Sequence, residues 1–211
     1  MPVETKKGNL AQALKIMLHL THRIMKKHAL ALFVLCITAA CTKAQEMKAG
    51  IKGGLNIADV SSMDGDNRLS GHVGLFLHGS LSRNWGIQPE LLYSGQGQRY
   101  TFLNRDYTLA LNYLQVPLMF QYFPTRQFYL EFGPYVGFLL SARIKSDGDH
   151  TEVDDSYRKV EAGLGLGAGI WATRQLGFYA RYNIGLSDIT KDDNHDYYNR
   201  VGQIGMAIKF K

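Results

Sequence analysis

The sequence predicts an all-β fold: an eight-stranded antiparallel up-and-down transmembrane β-barrel. Three observations point there. First, Tyr113 to Lys145 reads YLQVPLMFQYF, then PTRQ, then FYLEFGPYVGFLLSARIK: two long alternating runs joined by a tight turn. Alternation of period two gives a strand two faces with two different solvents. Runs of about ten or more residues suit a tilted membrane hairpin better than the roughly five or six of a soluble sandwich strand. Second, such runs recur eight times between Met47 and Phe210. Third, the connections between them alternate long and short, as they do in barrels with short turns on one side of a membrane and longer loops on the other.

The first run begins at Met47, with Ala49, Ile51, Gly53, Leu55 and Ile57 against Lys48, Lys52, Gly54 and Asn56. Asp59–Arg68 is polar and turn-rich. Leu69–Ser82 sets Val73, Leu75, Leu77 and Leu81 against His72, Gly74, Phe76, His78 and Ser80. After an Arg83-Asn84 turn, the strand from Trp85 places Ile87, Pro89, Leu91 and Tyr93 outward and Gln88, Glu90 and Ser94 inward. Pro89 weakens this strand, because proline removes a ladder donor. Gly95–Thr108 reads as a second polar loop.

In the hairpin that follows, Leu114, Val116, Leu118, Phe120 and Tyr122 face out. Strict alternation then carries one outer face from Phe128 through Ala142 and Ile144. Ser146–Ser156 is a third loop. Tyr157–Trp171 sets Val160, Ala162, Leu164, Leu166, Ala168 and Ile170 against Glu161 and four glycines. After Thr173–Gln175, the strand from Leu176 points Phe178, Ala180, Tyr182, Ile184 and Leu186 outward. Thr190–Asn199 is the fourth loop. The last strand carries Ile204, Met206, Ile208 and Phe210 outward and Lys209 inward. Inward glycines suit a small barrel whose lumen holds only side chains.

The N-terminal segment has a different character. MKKHALALFVLCITAACTKAQ from Met25 has a basic start, an apolar stretch of about a dozen residues and small residues before Ala44. Residues 25–44 are therefore expected to be a secretory signal peptide, with 45–211 the barrel domain. Residues 1–24 are expected to be a non-native or dispensable extension, with translation starting at Met25. A competing reading lipidates Cys41, but the residues before it lack the usual leucine. Seven of the 24 basic residues and one of the 18 acidic ones fall in 1–44, leaving 17 of each in 45–211. The net charge of +6 thus belongs to the N-terminal segment. With no basic stripe interleaved with aromatics later on, nucleic acid is not an expected partner. Cys36 and Cys41 both lie in the expected signal, so thiolate chemistry is not expected of the exported domain.

The framework segments GIKGGLNIADV, IQPELLYSGQG, YLQVPLMFQYF, GPYVGFLLSARIK, GLGLGAGI and RYNIGLSDI together resemble the PorT-like small outer-membrane β-barrel family. The resemblance spans residues 47–211. It implies a porin-family barrel in the cell outer membrane of a Gram-negative bacterium, and it implies no activity. Outer-membrane lipid and the barrel assembly machinery are the partners it implies.

The inward charges form the main candidate site. Lys52, Glu90, Glu131, Glu161, Arg181 and Lys209 are expected to pair inside the lumen, because an unpaired buried charge costs several kcal/mol. An ion or solute path is the alternative. Trp85, Tyr122, Phe128, Trp171 and Phe178 flank the short turns and are expected to form an interfacial girdle. His72, His78 and Ser80 share a face, but His72 and His78 stand roughly 20 Å apart along a strand. No catalytic site is therefore expected. The acidic loops, with Asp64, Asp66, Asp147, Asp149, Glu152, Asp154, Asp155, Asp192, Asp193 and Asp196, are solvated segments or capture a surface ligand or divalent cation. No cofactor is expected. The expected function is a non-enzymatic barrel with a structural or surface-binding role. A small porin and a soluble periplasmic ligand-binding barrel are the alternatives.

Overall fold

The structure is a computed structural model, which describes residues 47–61, 66–102, 105–146, 149–190 and 197–211. The segments 1–24 and 25–44 lie outside the described residues. Nine strands follow in order: β1 (Met47–Val60), β2 (Asp66–Ser80), β3 (Trp85–Phe102), β4 (Arg105–Tyr122), β5 (Phe128–Ser146), β6 (Asp149–Glu152), β7 (Val160–Trp171), β8 (Leu176–Gly185) and β9 (Asn199–Lys209). Eight of them make the barrel. Each pairs antiparallel with the next in sequence, β5 passing over the short β6 to β7, and β1–β9 pairing closes the ring. Closure gives the backbone groups of every barrel strand a neighbouring strand, which is what a hydrocarbon environment demands.

Alternation sets the two faces. Ile51, Leu55, Val73, Leu75, Leu130, Phe132, Leu164, Leu166, Ile204 and Met206 stand exposed on the outer wall. Lys52, Asn56, His72, Gln88, Glu90, Gln115, Gln121, Glu131, Glu161, Arg181 and Gln203 are buried within. This is the inverse of a soluble protein, and it identifies lipid as the outer solvent. Ile87 and Leu118, outward by alternation, are buried within the wall.

Gly95–Thr108 is not a loop. β3 runs on to Phe102 and β4 starts at Arg105, with an unbroken ladder from Gly95↔Asn112 to Phe102↔Arg105. Glycine and glutamine there look like loop composition, but Ser94, Gln96 and Gln98 are inward residues with almost no exposure. Gly97 has φ +112°, which a side chain would strain, and a Cβ there would strike the Leu109 carbonyl. Tyr100 and Tyr107 stack across the tip of the ribbon, 5.5 Å between centroids.

β5 does not keep one parity. The β4–β5 ladder pairs Tyr113 with Leu139 and Asn112 with Ser141, so Leu140 is an extra, bulged residue. Beyond it the faces exchange. Ala142 is fully buried inside and Ile144 packs on the same inner cluster, while Arg143 pairs with exposed Glu152 at 3.2 Å. The Ser146–Ser156 stretch is also more ordered than a loop. β6 folds back on β5, and a 3-10 turn spans Asp154–Ser156. β7 starts at Val160, and Tyr157 instead bridges to Thr190. Pro89 is accommodated because the β2–β3 ladder skips from Phe76↔Glu90 to Gly79↔Ile87.

Candidate functional site

The lumen is filled by side chains in three layers. Its middle layer is ionic. β1 supplies Lys52, β3 Glu90, β5 Glu131 and β8 Arg181. Arg181 is the hub: Nη1 and Nη2 donate to the two oxygens of Glu90 at 2.8 and 2.7 Å, and Nε donates to Glu131 at 2.7 Å. Lys52 donates to Glu90 at 2.9 Å, and the amides of Gln88 and Gln121 donate to Glu90 and Glu131 at 2.8 and 3.2 Å. The Lys52, Glu90, Glu131 and Arg181 side chains have no solvent exposure. Two cations meet two carboxylates, so the layer is neutral. The Lys52 ammonium also sits 3.9 Å from the centre of the Tyr179 ring. Such a cluster is stable only when complete, since each charge relies on the others to offset its lost hydration.

Beside it lies a neutral polar web. Asn56 donates to Ser94 Oγ at 3.0 Å and to the Gly95 carbonyl at 2.7 Å, and accepts from Gln203 at 3.1 Å. His72 engages Asn56 through Nδ1 at 2.6 Å and Tyr179 through Nε2. Both its ring nitrogens therefore have protein partners. Glu161 is buried but stands outside the ion cluster, with Asn199 and Gln115 amides donating to it at 2.5 and 3.4 Å.

At the short-turn end the lumen is aromatic. Phe76, Tyr129, Trp171 and Tyr179 form one buried cluster with Ala207, and Phe123 packs against it. His78 joins the layer edge-on to Phe123, 5.9 Å between centroids. Trp171 is therefore corrected from girdle to plug. It is only 6% exposed, because odd parity in β7 points it inward with the glycines. Lys209 is not part of the ion cluster either. Its ammonium lies 3.6 Å from the Trp171 ring centre, a cation–π contact. Trp85, Tyr122, Phe128 and Phe178 are exposed on the outer wall near the short turns, Trp85 and Tyr122 in contact at 5.1 Å.

At the long-loop end the lumen is apolar: Val60, Leu109, Leu111, Tyr113, Ala142, Tyr157 and Ile189 form a buried cluster. Of the acidic-loop residues, Asp64, Asp147, Asp192, Asp193 and Asp196 lie outside the described residues. Asp154 accepts the Ala142 N–H, and Glu152 pairs with Arg143. Among the described residues, no three His, Cys, Asp or Glu side chains gather as a metal site would require.

The sequence pointed to Lys52, Glu90, Glu131 and Arg181, which the structure brings together. It did not point to the glutamine and asparagine partners that complete them, nor to the His72–Tyr179 link. The inward parity of Gln88, Gln115 and Gln121 was the available signal.

The model of a family described as outer membrane protein beta-barrel domain matches residues 43–191. Several solved structures are similar in fold at low identity. The attachment invasion locus protein Ail of Yersinia pestis aligns at 15% identity over 79% of this chain and 100% of that one, with TM-score 0.46. Neisserial surface protein A aligns at 11% over 78% and 97%, TM-score 0.47, and OprG of Pseudomonas aeruginosa at 14% over 78% and 94%, TM-score 0.41. No curated protein matches.

Proposed function

The chain belongs to the outer-membrane protein β-barrel domain family and is an outer-membrane barrel, and from that premise we propose that it is a non-enzymatic, non-conducting barrel of the PorT-like branch with a structural or surface-binding role. The observation that carries this is the three-layered filling of the lumen. A neutral ion cluster at the centre, with aromatic and apolar layers on either side, leaves the wall and the two ends as working surfaces. Residues 25–44 act as the signal for export, and the assembly machinery inserts the barrel. The short turns then face the periplasm and the longer connections the exterior.

Single-cysteine labelling tests this arrangement, since Cys36 and Cys41 are the only cysteines and both can be made serine. Thr151→Cys, on exposed β6, is expected to react on intact cells with a membrane-impermeant maleimide. Gln127→Cys, on a short turn, is expected to react only after the outer membrane is opened. The reverse pattern, or recovery of the protein in buffer without detergent, would defeat the proposal.

A further inference from the structure

The short-turn end of the barrel is cationic and forms a basin. Its volume is about 870 Å³, within the roughly 300–1,000 Å³ of small-molecule sites. Arg83, Arg126 and Arg174 line it, one from each short turn, and Lys48 and Lys209 join them from the terminal strands. Among the described residues, no carboxylate side chain lines it. The remaining acids of the described chain lie in the lumen or toward the long-loop end.

The turns that carry Arg126 and Arg174 repeat one local chemistry. Two of the turns share the sequence Thr-Arg-Gln, at 125–127 and 173–175. In each, the threonine Oγ1 accepts the backbone N–H groups two and three residues on: Gln127 and Phe128 at 3.4 and 3.0 Å, Gln175 and Leu176 at 3.2 and 2.9 Å. The turns are also tied together. Asn84 Nδ2 donates to the Phe123 carbonyl and the Phe123 N–H to the Asn84 carbonyl, both at 2.8 Å. The Trp171 N–H donates to Gln127 at 2.9 Å, and the Lys209 N–H to Gln175 at 2.8 Å. The backbone that carries the cationic rim is thus preorganised.

The floor is aromatic. His78 and Trp171 line the basin and are each more than nine-tenths buried. The Lys209 ammonium lies 3.6 Å from the Trp171 ring centre, so charge drawn into the basin is felt by the indole below it.

We propose that this basin binds a phosphate-bearing ligand, its phosphate oxygens held by the arginine rim above the His78–Trp171 floor. Three guanidinium forks match phosphate oxygens in bidentate geometry, and three arginines around one mouth draw a multiply charged anion to it. The phosphate comes from a soluble phosphate ester or from a lipid headgroup. This site rests on the barrel fold and not on which side the turns face, so the labelling result above and the binding result below can fail separately.

Trp171 is one of two tryptophans, so Trp85→Phe leaves its emission as a direct reporter of the floor. The full protein in zwitterionic micelles is titrated with inorganic pyrophosphate, and with sodium chloride at matched ionic strength. It is also placed in phosphatidylcholine nanodiscs with and without phosphatidylglycerol. A saturable Trp171 response to pyrophosphate, weakened about tenfold or more when Arg83, Arg126 and Arg174 are all glutamine, supports a soluble phosphate ligand. A response confined to phosphatidylglycerol discs, and lost in the same triple variant, supports a headgroup. A response matched by chloride, one unchanged in the triple variant, or none in any arm overturns the proposal. Gel mobility with and without boiling verifies that each variant is folded.

Discussion

Arg181 is the residue on which most of the interior depends. It donates three hydrogen bonds to two carboxylates from different strands, all inside a layer without solvent. Arg181→Met keeps the volume but leaves Glu131 without an ionic partner and Glu90 with Lys52 alone. The expected cost is on the order of 3–5 kcal/mol, the usual penalty for orphaning a buried charge, read as a lower urea midpoint of the barrel in lipid vesicles. A change under about 1 kcal/mol, the size expected of a surface ion pair, would mean that the cluster is not buried as described. Asp188 shows the same logic outside the membrane. Burial alone would raise its pKa, but N–H groups of Tyr197 and Thr190, the Thr190 hydroxyl and Arg158 hold the carboxyl below its ordinary value. A pKa lower in the folded state gives stability that is present above the unfolded value of about 4 and lost as pH falls through the folded one. The protection factors of the Tyr197 and Thr190 amides, exchange rates corrected for their intrinsic pH dependence, are expected to fall on acidification in the native protein. In Asp188→Asn they should already be lower at neutral pH and show little of that acid dependence.

At the scale of elements, the central hairpin was the most legible part of the sequence and also the site of an error. Alternation from Phe128 to Leu139 sorted the faces correctly, because every residue there touches either lipid or lumen. It failed beyond Leu140, since a bulge leaves no compositional trace in a run such as GFLLSAR. The consequence is measurable. Ala142→Arg drives a charge into the apolar cluster of Leu111, Tyr113 and Ile189 and is expected to cost several kcal/mol. Arg143→Ala removes an exposed pair and is expected to cost under about 1 kcal/mol. An unbulged strand would reverse that ranking in urea unfolding. The β3–β4 ribbon departs from expectation for the opposite reason: its glycine, serine and glutamine look like loop, yet Ser94, Gln96 and Gln98 are buried inside, Gln98 accepting the Val60 N–H beside the apolar plug. Trp171 departs from the expected girdle because parity, not proximity to a turn, decides which face a strand residue takes.

At the scale of the whole molecule, the fold was readable because each barrel strand repeats the same two-solvent pattern, whereas the site was readable only in part. Inward parity finds candidate charges, but partners such as Arg181–Glu90, separated by 91 positions, come together only through barrel closure and shear. The molecule that results has a lipid-facing apolar wall, a neutral ionic centre, an aromatic plug at one end and an apolar plug at the other. From this packing we propose that the lumen conducts neither ions nor small solutes. The most direct measurement is single-channel recording of the native protein in a planar bilayer, on material whose gel mobility shifts on boiling. A sealed lumen gives no stable, voltage-independent current steps across many insertions. Reproducible ohmic steps from the folded barrel would contradict it and make the ionic layer the lining of a pore.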